Sequence, residues 1–175
     1  MLIPTSPELS TLSAEIATLL TSKGESISVC ETATGGLTSA SLLAVPGASK
    51  YYKGGLTLYT LESRLAFGGW APTTVSTYNG PTPEIVENLA KHVRETLGST
   101  YTVSESGTAG PGGSGSGRNR KPGYVALGLA REDGKTWTKE VETGLGGDRE
   151  ANMIAFAVEA LKLVRDVIAG EEGGK

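Results

Sequence analysis

The chain has 175 residues, which suits a single domain large enough to bury a sizeable core. Apolar residues make up 38% and charged residues of both signs 20%, a composition that excludes extensive disorder. The formal net charge of -3 argues against nucleic-acid binding, and no apolar run approaches the roughly 18 residues of a membrane span, so neither kind of partner is expected.

The first half of the chain alternates helix and strand signals. Ser6 is a good N-cap, Pro7 suits a first helical turn, and apolar residues then recur at helical spacing. The elements predicted here are a helix over Ser6–Lys23, a strand over Ser26–Cys30, a helix over Gly36–Leu43, a strand over Tyr52–Tyr59 and a short helix over Glu62–Phe67.

The second half begins with Gly68–Pro81, which is rich in glycine and proline and is predicted to be a loop. The elements predicted after it are a helix starting at Thr82, a strand over Tyr101–Ser104, a long loop over Gly107–Pro122, a hairpin of Gly123–Ala130 with Lys135–Glu142, and a helix capped by Asp148. Residues 1–169 are expected to form one domain, and residues 170–175 a frayed tail.

Strands separated by helices predict a three-layer α/β fold, and the late hairpin adds an antiparallel element that makes the sheet mixed. Ligands of such folds usually bind beyond the carboxyl ends of the strands. Two polar, glycine-bearing segments follow predicted strands, Glu31–Gly36 and Gly107–Gly117. These two segments are therefore the candidate binding loops.

The segment Glu31–Gly36 leads from a strand into a helix. The N-terminus of that helix could attract an anion through its free N–H groups, and Thr32 could act as a nucleophile if a base lies near. The alternative is structural, with Thr34 serving only as an N-cap and Gly35 and Gly36 allowing tight packing.

The segment Gly107–Gly113 matches neither a Walker loop nor the dinucleotide fingerprint. Its backbone could still form a concavity for an anion, with Arg118, Arg120 and Lys121 just downstream as partners for phosphate. The alternative is a surface loop whose charges are merely solvated.

The single cysteine and the single histidine limit the available chemistry. Cys30 has no partner for an internal disulfide, and the N-terminus lacks the basic and apolar regions of a signal peptide, so a cytoplasmic location is expected. With His92 as the one histidine, a zinc site of the usual Cys/His kind cannot be assembled, and no metal is predicted.

Six short elements match, in order, the motifs of a known family. Glu31-Thr32-Ala33-Thr34-Gly35-Gly36 stands in place of Glu-Ser-Cys-Thr-Gly-Gly, and Ser106–Gly113 is similar to Thr-Gly-x-Ala-Gly-Pro-x-Gly. The other matching elements are Val45–Ser49, Tyr59–Arg64, Lys121–Gly123 and the intact Gly147–Glu150. The chain thus resembles the CinA C-terminal domain family, which includes the nicotinamide-nucleotide amidases.

This resemblance implies a three-layer α/β/α sandwich with a mixed, mostly parallel sheet. It implies an amidohydrolase of pyridine nucleotide metabolism that converts the carboxamide of nicotinamide mononucleotide to nicotinate mononucleotide and ammonia. It further implies a nucleotide or other phosphate-bearing ligand, no cofactor, and a homo-oligomer.

The resemblance also assigns roles to individual residues. The catalytic set that it implies is Thr32, Tyr59, Arg64 and Glu31. The residues that it implies for substrate binding are Thr34, Gly35, Gly36, Gly107, Ala109, Gly110, Gly112, Lys121 and Arg149. Two structural alternatives stay open: Glu31 could cap neighbouring N–H groups, and Arg149 could form only a surface ion pair.

The chain departs from the family at two positions. Thr32 replaces the serine, and its β-methyl group crowds the path of attack. Arg64 replaces the lysine, and a guanidinium stays protonated and cannot accept the Thr32 proton. Three hypotheses follow. The first is an amidase whose activity is impaired, and the second is a pseudoenzyme that binds a nucleotide or another phosphate-bearing molecule without turning it over. The third is a structural or interaction protein that keeps only the fold, and the intact Gly110–Gly112 and Gly147–Arg149 count against it.

Overall fold

The computed structural model describes residues 6–112 and 115–170. The helices are α1 (Pro7–Lys23), α2 (Leu37–Leu43), α3 (Leu61–Phe67), α4 (Pro72–Thr77), α5 (Pro83–Leu97) and α6 (Arg149–Ala169). The strands are β1 (Ile27–Glu31), β2 (Tyr52–Thr57), β3 (Tyr101–Thr108), β4 (Tyr124–Arg131) and β5 (Thr136–Glu142). Single 3₁₀ turns lie at Ala48–Lys50 and Arg118–Arg120.

The described strands form one sheet in the order β2-β1-β3-β4-β5. β1 is parallel to β2 and to β3, whereas β4 is antiparallel to β3 and to β5, so only β4 runs against the common direction. Helices α1, α2 and α6 pack together over one face, and α5 covers the other. The predicted three-layer α/β/α sandwich with a mixed, mostly parallel sheet is confirmed.

The helix starts follow the predicted capping residues. The Ser6 hydroxyl accepts a hydrogen bond from Leu9 N, and the Asp148 carboxylate accepts one from Ala151 N. Both caps satisfy N–H groups that have no partner inside their helices. Among the helices in the described ranges, none is both long and apolar enough to cross a membrane.

Three predicted boundaries were wrong. The segment Gly68–Pro81 is not all loop, because Pro72 begins the short helix α4 between Trp70 and Tyr78, whose rings pack together. Strand β3 extends to Thr108 rather than ending at Ser104, since it pairs with β4 along its whole length. Strand β2 ends at Thr57 instead of Tyr59. The predicted tail lies outside the described residues from 171 onwards.

The close approach of α5 to β4 depends on Gly128. A Cβ atom there would lie 2.8 Å from the carbonyl carbon and oxygen of Val86, which are backbone atoms and cannot rotate away. We therefore expect Gly128→Ala to lower the free energy of unfolding by about 1–3 kcal/mol, measured by urea denaturation.

Gly112→Ala is the matched control for this prediction. Among the described residues, apart from its chain neighbours, no atom lies within 4 Å of the position of a Cβ atom at Gly112. Its effect on the free energy of unfolding should stay within about 0.5 kcal/mol. Equal stability of the two variants would show that α5 can move away from the sheet at little cost.

Candidate functional site

The turn between β1 and α2 is built around the buried carboxylate of Glu31. It accepts hydrogen bonds from the N–H groups of Gly36 and Thr38 at 3.0 Å and of Ser39 at 2.9 Å. The Ser39 hydroxyl and the Thr34 hydroxyl add two more, at 2.5 and 2.6 Å. Glu31 thus occupies the N–H groups that the sequence analysis offered to an external anion, and it caps α2 from inside the protein.

A second buried carboxyl, Glu105 of β3, supports the same turn. Its Oε1 atom accepts hydrogen bonds from Thr32 N at 2.5 Å and from Thr34 N at 2.9 Å. Burial is the main cause that raises the pKa of Glu105, and the nearby Glu31 carboxylate raises it further. Sequence reasoning missed this residue, although a glutamate directly after a predicted strand was a usable signal.

Thr32 and Arg64, the two residues that differ from the family motifs, are both buried. The side chain of Thr32 is 2% exposed and that of Arg64 is 5% exposed. Arg64 Nε donates to Leu58 O at 3.1 Å, and its Cζ atom lies 5.3 Å from the ring centroids of Trp70 and Tyr78. The structure therefore holds Arg64 by packing and by a carbonyl, and Arg64 Nη1 has no hydrogen-bond partner among the described residues.

A pocket opens at the carboxyl ends of β1 and β3, with a volume of about 320 Å³. Its wall is formed by the end of β3, by loop residues and by the first residue of α6. They are the glycine loop, Gly107–Gly112, together with Ala33, Tyr59, Tyr78, Pro81, Arg120 and Arg149. The pocket is thus lined by Tyr59, Arg149 and four of the predicted glycine-loop residues, whereas Thr32, Arg64 and Glu31 are buried and do not line it.

Two arginines face this pocket. Arg149, the first residue of α6, donates to the Tyr59 hydroxyl at 3.2 Å, and its Cζ atom lies 5.7 Å from the Tyr59 ring centroid. Arg120 lies with its Cζ atom 5.8 Å from the Tyr78 ring centroid. Its Nε atom is buried and has no hydrogen-bond partner in the described part of the chain.

The pocket includes only one of the three basic residues that follow the glycine loop. Lys121 was assigned to the site, but it is exposed and does not line the pocket. The 3₁₀ turn Arg118–Arg120 directs Arg120 toward the pocket, while Arg118 pairs with Glu142 on the exposed side. Arg118, Arg120 and Lys121 lie within four positions, and no sequence pattern distinguishes which of them faces the pocket.

The glycine loop is anchored to α6 by hydrogen bonds and by close packing. Asn152, buried in α6, donates from Nδ2 to Ala109 O and to Gly146 O, both at 2.8 Å. At Gly107, a Cβ atom would lie 2.7 Å from the Phe156 ring. Gly107 and Ala109 therefore hold the loop in place, while the backbone beyond them faces the pocket. Sequence reasoning did not identify Asn152.

The remaining predicted residues shape the turn. Gly35 and Gly36 adopt φ values of 64° and 103°, in the region that favours glycine, and Thr34 is fully buried between the two glutamates. Within residues 6–112 and 115–170, no three His, Cys, Asp or Glu side chains form a group that could hold a metal ion.

The fold is that of an α/β domain with a pocket at the carboxyl ends of its strands. The sequence matches the model of the CinA C-terminal domain over residues 9–168. Because this match spans nearly the whole chain, the chain belongs to the CinA C-terminal domain family.

Known relatives agree with this assignment. The chain is 40% identical over 124 residues to a CinA-like protein of Shewanella amazonensis, covering 70% of this chain and 28% of the relative. It is 33% identical over 156 residues to a CinA-like protein of Rippkaea orientalis, covering 89% and 37%. The chain thus spans about a third of the length of the curated relatives that it matches.

Solved structures show the same fold. The competence/damage inducible protein CihA of Agrobacterium tumefaciens superposes with a TM-score of 0.84 at 25% identity, covering 98% of this chain and 99% of that one. A competence or damage-inducible protein of Enterobacter asburiae gives a TM-score of 0.82 at 22% identity, covering 91% and 98%.

Proposed function

We propose that this domain binds a nucleotide monophosphate of the nicotinamide mononucleotide type in the pocket beside the glycine loop. We further propose that it hydrolyses the carboxamide of that ligand to nicotinate mononucleotide and ammonia only slowly. The family resemblance motivates the choice of ligand, and the pocket supports it.

The convergence of Arg120 and Arg149 on one pocket carries the proposal. Each guanidinium presents paired N–H donors that match the oxygens of a phosphate. The rings of Tyr59 and Tyr78 line the same pocket and offer flat surfaces to an aromatic ligand. A pocket of about 320 Å³ falls at the lower end of the range usual for small-ligand sites.

Slow hydrolysis follows from the residues that stand at positions 32 and 64. Its hydroxyl would need a base to attack a carboxamide, and Arg64 stays protonated at neutral pH. Loss of general-base assistance lowers a rate by roughly 10²–10⁴. Thr32 is also buried and does not line the pocket, which restricts the approach of a substrate to its hydroxyl.

Nicotinamide mononucleotide tests both parts of the proposal. In calorimetry it should bind with a Kd below about 1 mM, which corresponds to roughly -4 kcal/mol. Nicotinamide riboside, which lacks the phosphate, should bind at least about tenfold more weakly. Released ammonia and nicotinate mononucleotide should give a turnover well below about 1 s⁻¹.

Each result has a distinct consequence. Absence of binding at millimolar nicotinamide mononucleotide would overturn the ligand assignment. Turnover at or above about 1 s⁻¹ would overturn slow hydrolysis and make the chain an ordinary amidase. Binding without any detectable ammonia would overturn slow hydrolysis and identify a pseudoenzyme that only binds the nucleotide.

A further inference from the structure

Two buried carboxyls lie on either side of a single hydroxyl. Thr34 Oγ1 is 2.6 Å from Glu31 Oε2 and 2.9 Å from Glu105 Oε1. The hydroxyl carries one proton, so it can donate fully to only one of the two. None of the ion pairs in the described ranges involves either glutamate, although both side chains are buried.

The hydrogen-bond donors around the two carboxyls are unequal. Glu31 receives hydrogen bonds on both oxygens, three from backbone N–H groups and one from the Ser39 hydroxyl, besides Thr34. Glu105 receives its backbone hydrogen bonds on Oε1 alone, and its buried Oε2 has no partner among the described residues. This asymmetry suits a negative charge on Glu31 and a neutral acid at Glu105.

The electrostatic surroundings favour the same assignment. Two carboxylates this close in a buried site repel each other, and one of them then keeps its proton. The titratable groups of β1 beside Glu105 are Glu31 and the Cys30 thiol, whose pKa burial raises to about 12. Arg64 of α3 acts on Cys30 and forms no ion pair with Glu105 within the described residues.

We propose that Glu105 is a positioning residue that works as a neutral acid, holding the backbone N–H groups of Thr32 and Thr34 with one oxygen and thereby setting the direction of the Thr32 side chain. The relevance to catalysis rests on the proposed function. The neutral state of Glu105 and its hydrogen bonds to the turn do not depend on the proposed function, because they are inferred from contacts within the protein alone.

The same substitution at the two glutamates gives a matched test. Glu105→Gln keeps a neutral group with an acceptor oxygen. At about pH 4, where the Glu105 carboxyl is also neutral, its thermal midpoint should therefore stay within about 4 °C of that of the unmodified chain. Its Kd for nicotinamide mononucleotide should stay within about threefold. Glu31→Gln places an NH₂ group against N–H and O–H donors that need an acceptor. It should weaken binding at least about tenfold or prevent folding.

The pH dependence of stability gives a readout that a merely structural contact would not change. Native Glu105 keeps its proton at pH values where the unfolded chain has lost it, so the native state holds more protons and stability falls as pH rises above about 4.3. For each pH unit between about 4.3 and the pKa of native Glu105, the unfolding equilibrium constant should rise by at most about tenfold. Glu105→Gln should remove it and give a flatter profile.

The proposal fails on either of two results. If Glu105→Gln is as damaging as Glu31→Gln and does not flatten the fall in stability above about pH 4.3, Glu105 is an anion. If Glu105→Gln keeps stability and ligand binding but abolishes ammonia release measured in the same assay, Glu105 exchanges a proton in the reaction and is more than a positioning residue. Failure of nicotinamide mononucleotide to bind the unmodified chain would refute the proposed function, and the stability profiles would still decide the state of Glu105.

Discussion

The double variant Thr32→Ser with Arg64→Lys should release ammonia from nicotinamide mononucleotide at least about 100-fold faster than the unmodified chain. Serine removes the β-methyl group that crowds the hydroxyl. A lysine at Arg64 would lie buried between Trp70 and Tyr78, and such burial lowers the pKa of an ammonium toward neutrality. The variant would then have a nucleophile and a base in place of a hindered hydroxyl and a permanent cation.

The single variants are the controls for this result. Thr32→Ser alone should gain little, because Arg64 still cannot accept a proton, so the two changes should be strongly non-additive. Circular dichroism and nicotinamide mononucleotide binding should first establish that each variant is folded and binds its ligand. A folded, ligand-binding double variant with no more ammonia release than the unmodified chain would show that the missing base does not limit the rate.

Replacing Arg149 by alanine should weaken binding of nicotinamide mononucleotide by about 10- to 100-fold, because one charge-assisted contact to phosphate contributes roughly 1.5–3 kcal/mol. Arg149 faces the pocket beside Tyr59 and Gly110, and its Nη1 atom lies 3.1 Å from where a Cβ atom at Gly110 would be. Isothermal titration calorimetry with nicotinamide mononucleotide and with inorganic phosphate measures the loss.

Arg131→Ala is the matched control for the charge that is removed. Arg131 is the last residue of β4, opposite the first residue of β3 and therefore at the end of the strands far from the pocket. It pairs with Asp133 in the hairpin. Its removal should leave affinity within about twofold, since a charge at the far end of the sheet from the pocket is largely screened. Equal affinity in the Arg149→Ala variant and the unmodified chain would remove Arg149 from the binding site.

The general architecture was predictable because local signals and tertiary packing agree. Caps such as Ser6 and Asp148 and the apolar spacing within the helices marked the element starts, and the alternation of helices with strands gave the layered fold. Boundaries that depend on partners were not predictable. Strand β3 runs to Thr108 only because β4 pairs with it, and no property of Glu105–Thr108 alone indicates a strand. The homo-oligomer and the cytoplasmic location stay predictions.

The sequence by itself determined the family, the two candidate loops and the chemical departure at Thr32 and Arg64, since residue identity alone decides that a guanidinium cannot act as a base. Only the tertiary structure decided which groups meet. It places Arg120 rather than Lys121 on the pocket, turns Glu31 inward as a cap and brings Glu105 against the same turn from another strand. These outcomes depend on contacts between residues up to 73 positions apart, and short-range patterns carry no information about such contacts.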